Sequence, residues 1–330
     1  MKLPRISIAN LPTPIEPLPR LGAYLKGPRL WVKRDDLTGL GMGGNKTRKL
    51  EYLLAEAQAH GAKTLITVGA AQSNHCRQTA ALAARCNLGC ILVLSGDSSQ
   101  KASGNLFLDT LFGAEITWCT QDARSEMLKK VFDTAWEEGK RPYLIPLGAS
   151  NALGTVGYVN AFEEFVNQKS GMDYIVVASS SGGTHAGLAL GAKMSGWQGR
   201  ILGISIDEPE ANLQEWVAEL ANGASDRLGA DIRLKKEDIL VNADYLGEGY
   251  GVLGEPEIEA IQLFAQFEGI LLDPVYTGRA AAGMIDLIRK GYFENDSNIL
   301  FWHTGGTPAL FADAYQDLII SSNNHGRQAG

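Results

Sequence analysis

Three glycine-rich turns carry the residues whose types and spacing could do chemistry: GLGMGGNKTRK at 39–49, GAAQSNHCRQ at 69–78 and SSSGGTHAG at 179–187. A lysine in a glycine loop that opens a helical pattern can act as a nucleophile or as a cation beside phosphate. Gly39-Leu-Gly41-Met-Gly-Gly44 fits the dinucleotide pattern GxGxxG. It follows the polar run Arg34-Asp35-Asp36 instead of a strand end, and Gln72 and Ser73 stand where an acid would hold a ribose. The same loop misses the triphosphate loop GxxxxGKS/T by one residue, because Asn45 separates Gly44 from Lys46. Taken alone, the loop reads as a turn followed by a solvated lysine.

The third turn, Ser179-Ser-Ser-Gly-Gly-Thr184, opens an Ala/Gly/Leu helix at 185–192 and has the small residues that let backbone N–H groups close around a phosphate monoester. It holds no lysine or arginine, which suits a cofactor phosphate better than a nucleotide triphosphate. By itself it could equally be a tight turn for helix packing. A lysine in one turn, a neutral phosphate cup in another and the amide-rich QSN in a third together form the set that pyridoxal phosphate (PLP) requires, namely an amine, a phosphate site and partners for the ring.

The elements that must position these turns follow from hydrophobic period. Strands are expected at 30–33, 64–68, 90–94, 115–118, 142–145, 174–178, 201–206 and 298–302, with amphipathic helices such as 45–60 and 72–86 between them. That alternation predicts an α/β protein with open, twisted, mostly parallel sheets flanked by helices. The stretch 207–253 has the weakest pattern and is expected to vary in conformation. No Pro/Gly linker divides the chain, so the two domains that 330 residues allow are expected to interleave: 1–46 and 156–330 as a larger cofactor-binding domain, 47–155 as a smaller one inserted in it, the site in the cleft.

A formal net charge of −7 and the lack of a basic block argue against a nucleic-acid partner. No apolar run is long enough for a membrane span, and a cytoplasmic enzyme is expected. Cys76, Cys86, Cys90 and Cys119 form no CxxC pair, so free thiols are expected and no metal site. His75 could move protons, although a first-turn histidine bonded to backbone is the plainer reading; His185 and His303 read as packed residues.

At these same residues the chain resembles the PLP-dependent fold type II family (tryptophan synthase β-like) in the group containing D-cysteine desulfhydrase and 1-aminocyclopropane-1-carboxylate (ACC) deaminase. The resemblance covers PTPIEPLPRL, VKRDDLTGLGMGGNKTRKLEYLLAEA, GAAQSNHCRQTAA, GASNALGTVGYV, VVASSSGGTHAGLALG, GILLDPVYTGRAAAGM and ILFWHTGGTPALF. It implies that Lys46 bonds the cofactor, that Ser181, Gly182, Gly183 and Thr184 bind its phosphate, and that Asn74 meets the ring hydroxyl. It also implies that Gln72, Ser73 and Asn74 receive the carboxylate of a small amino-acid substrate, that Tyr276 lies against the ring, and that Tyr250 faces the substrate. Lys46, Ser73, Tyr250 and Tyr276 form the expected catalytic set, with Lys46 or a tyrosine as the base, in a homodimer.

Two positions bear on the reaction. The deaminase has glutamate at the position of Thr277 and leucine at that of Thr304. A carboxylate keeps the pyridine nitrogen protonated and the ring a strong electron sink; a hydroxyl leaves a weaker sink that suffices for expelling a good leaving group. Thr304 is expected at the cofactor and Thr277 at the substrate, favouring α,β-elimination. D-cysteine is the expected substrate through the resemblance, with L-cysteate and ACC as alternatives and a PLP-binding protein without turnover as the non-enzymatic one. Ser180, Ala149, Arg279 and Trp302 depart from the family pattern, where glycine, glycine, lysine and a smaller aliphatic residue are usual.

Overall fold

The alternating pattern builds two sheets in the computed structural model, which describes residues 3–168 and 171–326. β1 (Ile15–Pro17) and β2 (Arg29–Arg34) flank the short helix α1 (Pro19–Leu25), and the glycine loop then enters α2 (Lys46–Ala59). Next come β3 (Thr64–Ala70), α3 (Asn74–Arg85), β4 (Gly89–Ser95), α4 (Gly104–Leu111), β5 (Glu115–Cys119), α5 (Arg124–Glu137) and β6 (Pro142–Leu144). α6 (Ala152–Gln168) leads to β7 (Tyr174–Ser179), α7 (Gly183–Ser195), β8 (Arg200–Ser205), α8 (Glu210–Leu228) and β9 (Leu240–Asn242). The chain closes with α9 (Glu255–Leu263), α10 (Thr277–Arg289), β10 (Asn298–His303) and α11 (Asp313–Gly326).

The six-stranded sheet has the order β1-β2-β10-β7-β8-β9 and the four-stranded one β5-β4-β3-β6. Only β1 pairs antiparallel among the described strands. The α/β class expected from the sequence is therefore the observed one. β1 and β9, both three-residue edge strands, were not expected, whereas the equally short edge strand β6 was. The expectation of variable conformation for 207–253 is corrected: α8 alone spans nineteen of its residues and buries Leu213, Val217, Leu220, Ala221 and Ala224 along one face. The charges that blurred the pattern lie on its solvent side.

What sets the angle of α2 against the large sheet is a buried carboxylate. Asp35, at the end of β2 and without exposed surface, accepts from Arg48 on α2 at 2.8 and 3.0 Å, from Thr13 at 2.8 Å, from Tyr158 on α6 at 2.5 Å and from Trp302 on β10 at 2.9 Å. Glu164 on α6 accepts from the same Arg48 and from Lys33. Trp302 packs edge-on against Tyr158 and Phe165, so the large residue fills volume and supplies an N–H. Among the described residues no helix is long and apolar enough to cross a membrane. All four cysteines are free, and no described group of His, Cys, Asp or Glu could hold a metal ion.

Candidate active site

Parallel strands present their carboxyl ends to one side, and here both sheets do so toward a shared cavity of about 1130 Å³. Lys46, Ser73, Asn74, Ser181, Gly182, Thr184, Tyr250, Tyr276 and Thr304 all line it. Gly183 lies just behind, and Gln72 and Thr277 lie outside.

Lys46 is the first residue of α2, held there by the glycine loop. Gly43 has φ +72°, and a Cβ on it would sit 1.8 Å from the Asp36 carbonyl, so the loop can take this path only with glycine. Arg77 on α3 donates to the Gly41 and Gly43 carbonyls, and Gln78 accepts from Thr47 N–H at 2.9 Å, locking the start of α2 to α3. Asn45 is a bridge: its Nδ2 donates to Thr184 Oγ1 at 2.9 Å and its Oδ1 accepts from Lys46 Nζ at 3.2 Å. Burial lowers the Lys46 amine to about 8, with Asp273 opposing that fall.

The cup adjoins the Lys46 turn through the Asn45–Thr184 hydrogen bond. Gly182, at φ +74°, caps α7 without a side-chain acceptor, so amides of its first turn have no intrahelical partner. A Cβ on Gly183 would come within 2.7 Å of Ser150 Oγ and 2.9 Å of Lys49 Nζ. Lys49, fully buried one turn after Lys46, donates to Ser150 Oγ at 2.9 Å and to the Gly148 carbonyl at 3.1 Å. Burial, then the neighbouring Lys46, drives its amine well below the usual lysine range. Ser180, where the family has glycine, donates to Asp207 at 2.8 Å and ties the cup to the end of β8.

Ser73 caps α3 by accepting from Cys76 N–H at 3.2 Å. Asn74 is oriented by Asn105, which donates to its Oδ1 at 2.8 Å, and its Nδ2 packs against Gly306. Gln72 is turned away: it donates to the Ser103 carbonyl at 3.0 Å and accepts from Asn105 N–H at 2.9 Å, which places it behind Asn74 instead of at a substrate. Thr277 is likewise displaced from its expected position. Its hydroxyl is fully buried, donating to Asp273 at 2.7 Å and accepting from Asp273 N–H at 2.7 Å, at the start of α10. Thr277→Val is therefore expected to lower stability by about 1–3 kcal/mol in denaturant unfolding, whereas Thr277→Ser retains it; equal stability of all three would contradict this placement.

Asp273 itself has its two oxygens committed to Val275, Tyr276 and Thr277 N–H and to the Thr277 hydroxyl. Thr304 keeps its hydroxyl on the cavity wall with no hydrogen bond from a described residue, while its carbonyl accepts from Asn45 N–H at 2.9 Å. Tyr276 and Tyr250 meet hydroxyl to hydroxyl at 2.5 Å. Burial pushes Tyr276 well above its ordinary value and Tyr250 up to about 12, although the Tyr250 ring stays 42% exposed at the cavity mouth. Both are neutral phenols at physiological pH. Arg279, in place of the family's lysine, spreads its guanidinium over Glu257 and the Ile206, Gly249 and Val252 carbonyls, and so fixes the loop carrying Tyr250.

His75 also lines the cavity, bonded to Thr67 Oγ1 at 2.8 Å and to the Pro146 backbone, and burial lowers it well below the usual histidine range. His185 is buried but touches the cavity, while His303 accepts from Gly305 N–H at 3.2 Å and holds the turn that presents Thr304. Asn45, Lys49 and Asp273 were not singled out in the sequence. The signals were there: the one-residue insertion that spoils the triphosphate loop, the i,i+3 spacing of Lys46 and Lys49, and the D-x-x-x-T spacing that caps α10.

Residues 6–305 match the model of the family described as pyridoxal-phosphate dependent enzyme. D-cysteine desulfhydrase of Klebsiella pneumoniae (strain 342) is 44% identical over 320 residues, covering 94% of this chain and 96% of the relative. The protein of the same name from Salmonella typhi is also 44% identical, with the same coverage. A crystal structure described as an ACC deaminase homologue superposes with a TM-score of 0.88 at 39% identity, over 97% of this chain and 96% of that one. O-ureido-L-serine synthase, at 16% identity and a TM-score of 0.65 over 90% of each chain, shares the fold.

Proposed function

The chain belongs to the family of pyridoxal-phosphate dependent enzymes, and we propose that within it this protein is a carbon–sulfur lyase releasing pyruvate, ammonia and sulfide from D-cysteine. The residues present fit the cofactor: an amine lowered to about 8 faces a cup in which only glycine leaves room beside Ser150 and Lys49. When bound, PLP supplies an electron sink that acidifies the substrate Cα–H and lets a β-substituent leave.

Lys46 would hold the cofactor, and Ser181, Gly182, Gly183 and Thr184, backed by Lys49, its phosphate. Asn74 would meet the ring hydroxyl, Thr304 the ring nitrogen, and Ser73 the substrate carboxylate. Tyr276 would lie against the ring, with Tyr250 facing the substrate. Gln72 and Thr277 would act through Asn74 and Asp273. For the proton, Lys46 Nζ is the better base: an amine near 8 is partly neutral at physiological pH, whereas both tyrosines hold their protons more tightly than free phenol.

The observation that carries elimination over ring opening is the neutral Thr304 hydroxyl on the cavity wall, with the carboxylate of Asp273 already committed to four donors. That pairing favours a weak sink. Pyruvate release from D-cysteine, L-cysteate and β-chloro-D-alanine, set beside 2-oxobutyrate release from ACC, tests it. Pyruvate from D-cysteine with little turnover of ACC is the expected result; rapid ACC turnover without pyruvate would overturn it. We also propose a cytoplasmic homodimer, to be checked by sedimentation. Residues 47–155 would form a smaller domain inserted in the larger one; in support, all strands of the four-stranded sheet fall within 64–144.

A further inference from the structure

Along the carboxyl ends of the four-stranded sheet the order β6, β3, β4, β5 arranges the cavity wall in sequence. Pro146–Gly148, after β6, adjoin the phosphate cup; Gly69–Asn74, after β3, come next; Gln121 and Arg124, after β5, stand at the far end. With strands about 4.8 Å apart, β5 lies about 10 Å beyond β3. Arg124 reaches back over part of that distance, to Ser95 at the end of β4. Its Nη2 donates to Ser95 Oγ at 2.9 Å, Ser95 Oγ donates to the Gly69 carbonyl at 3.4 Å, and a Cβ on Gly69 would lie 2.7 Å from Ser73 Oγ. The guanidinium therefore flanks the Ser73 turn on the side opposite the cup.

Its donors are largely uncommitted. Of the five N–H groups of an arginine, only those on Nη2 are used, toward Ser95 and Gln121. Nε is buried and has no partner, and among the described residues no carboxylate pairs with the side chain. The carboxylates that line the cavity, Asp207, Glu208 and Glu248, come from the end and loops of the six-stranded sheet. Arg124 is half-buried and lines the ligand cavity, so its uncommitted Nη1 donors, with no carboxylate beside them, can meet an anion from outside the chain. The phosphate already has the cup and Lys49, and the α-carboxylate has the Ser73 turn.

We infer that Arg124 forms an anion subsite for the β-substituent of the substrate, so that amino acids with a second acidic group on Cβ bind in preference to their neutral counterparts. The class comprises carboxylates, sulfinates and sulfonates, which offer a guanidinium two oxygens at once. This rests on the lyase reading above, whose α-amino-acid site it extends.

Aspartate and asparagine differ here in charge and little else, and neither carries a β leaving group, so binding can be read without turnover. The absorbance of the bound cofactor in the holoenzyme is to be followed against each, in both the D and L series. Aspartate is expected to bind at least about tenfold more tightly than asparagine in one series. Arg124→Gln should bring that ratio close to one, and Arg124→Lys should restore part of it. Equal binding of the two ligands by the unaltered protein would overturn the subsite, even if pyruvate is released from D-cysteine. An equal loss for both ligands in Arg124→Gln would overturn it too, marking the arginine as a partner of the α-carboxylate. No response to either ligand would remove the lyase site and the subsite together. The comparison in the unaltered protein stands whether or not the variants fold.

Discussion

Lys46→Ala is expected to reduce pyruvate release by on the order of 10³–10⁴-fold or more, and to leave no cofactor fixed to the chain after borohydride reduction. The size of the effect follows from what surrounds the amine. Its one side-chain hydrogen bond among the described residues is to Asn45, at 3.2 Å, and the nearest charge that steadies it, Asp273, is engaged by its own helix terminus. No other amine in the cavity can substitute: Lys49 is spent on Ser150 and the Gly148 carbonyl. The pH dependence has a definite direction. Burial lowers Lys46 to about 8, so the neutral, nucleophilic amine gains population as pH rises toward that value. Covalent capture of PLP by cofactor-free protein should therefore accelerate between about pH 6 and 8 and level off above. A flat rate across that range, or a Lys46→Ala protein retaining more than about a hundredth of its turnover, would contradict the assignment.

Asp35→Asn is expected to lower stability by about 3–5 kcal/mol, because it leaves the buried Arg48 without its main counter-charge and turns an amide N–H₂ toward donors. The melting temperature should fall by roughly 5–15 °C. Cofactor binding should weaken as well, since Arg48 lies two residues after Lys46 on the same helix. Acid titration gives an independent reading. Desolvation works to raise the Asp35 carboxyl, but Arg48 and Lys33 together outweigh it and hold the group at about 2, below its ordinary 3.8. A lowered folded-state value contributes stability that is fully present above 3.8 and is lost as pH falls through about 2. The difference amounts to about 2–3 kcal/mol. The unaltered protein should lose that increment between about pH 4 and 2, and Asp35→Asn should lack it. Indistinguishable acid profiles for the two proteins would refute the role given to this carboxylate.

How much of this was legible beforehand depends on how local each signal is. The hydrophobic period of β3, β4, β7, β8 and β10 and of α2 and α3 is carried by adjacent residues, and the expected spans agree with the observed ones to within a few residues. The glycine turns are equally local, so Lys46 and residues 181–184 could be singled out from spacing and resemblance, and Lys46, Ser181, Gly182 and Thr184 line one cavity. The edge strands β1 and β9 were not expected, although β6, just as short and also at an edge, was. α8 was obscured because a half-exposed helix carries many charges.

The directions of side chains were not legible. Gln72 and Ser73 are neighbours in one turn, yet Asn105, thirty-three residues beyond Gln72, turns that glutamine out of the cavity while Ser73 stays on its wall. Thr277 differs from Thr304 only in facing Asp273, whose backbone N–H and carboxylate take up its hydroxyl. Arg124 became significant only when the sheet order brought the ends of β5 and β3 to one cavity wall, where no described carboxylate pairs with it. The sequence by itself determined the elements, the turns and the amine, since each depends on residues a few positions apart. Tertiary structure alone decided which polar groups are spent on the fold and which remain for a ligand. A hydrogen-bond donor is free or committed according to partners that the chain brings together from far along its length.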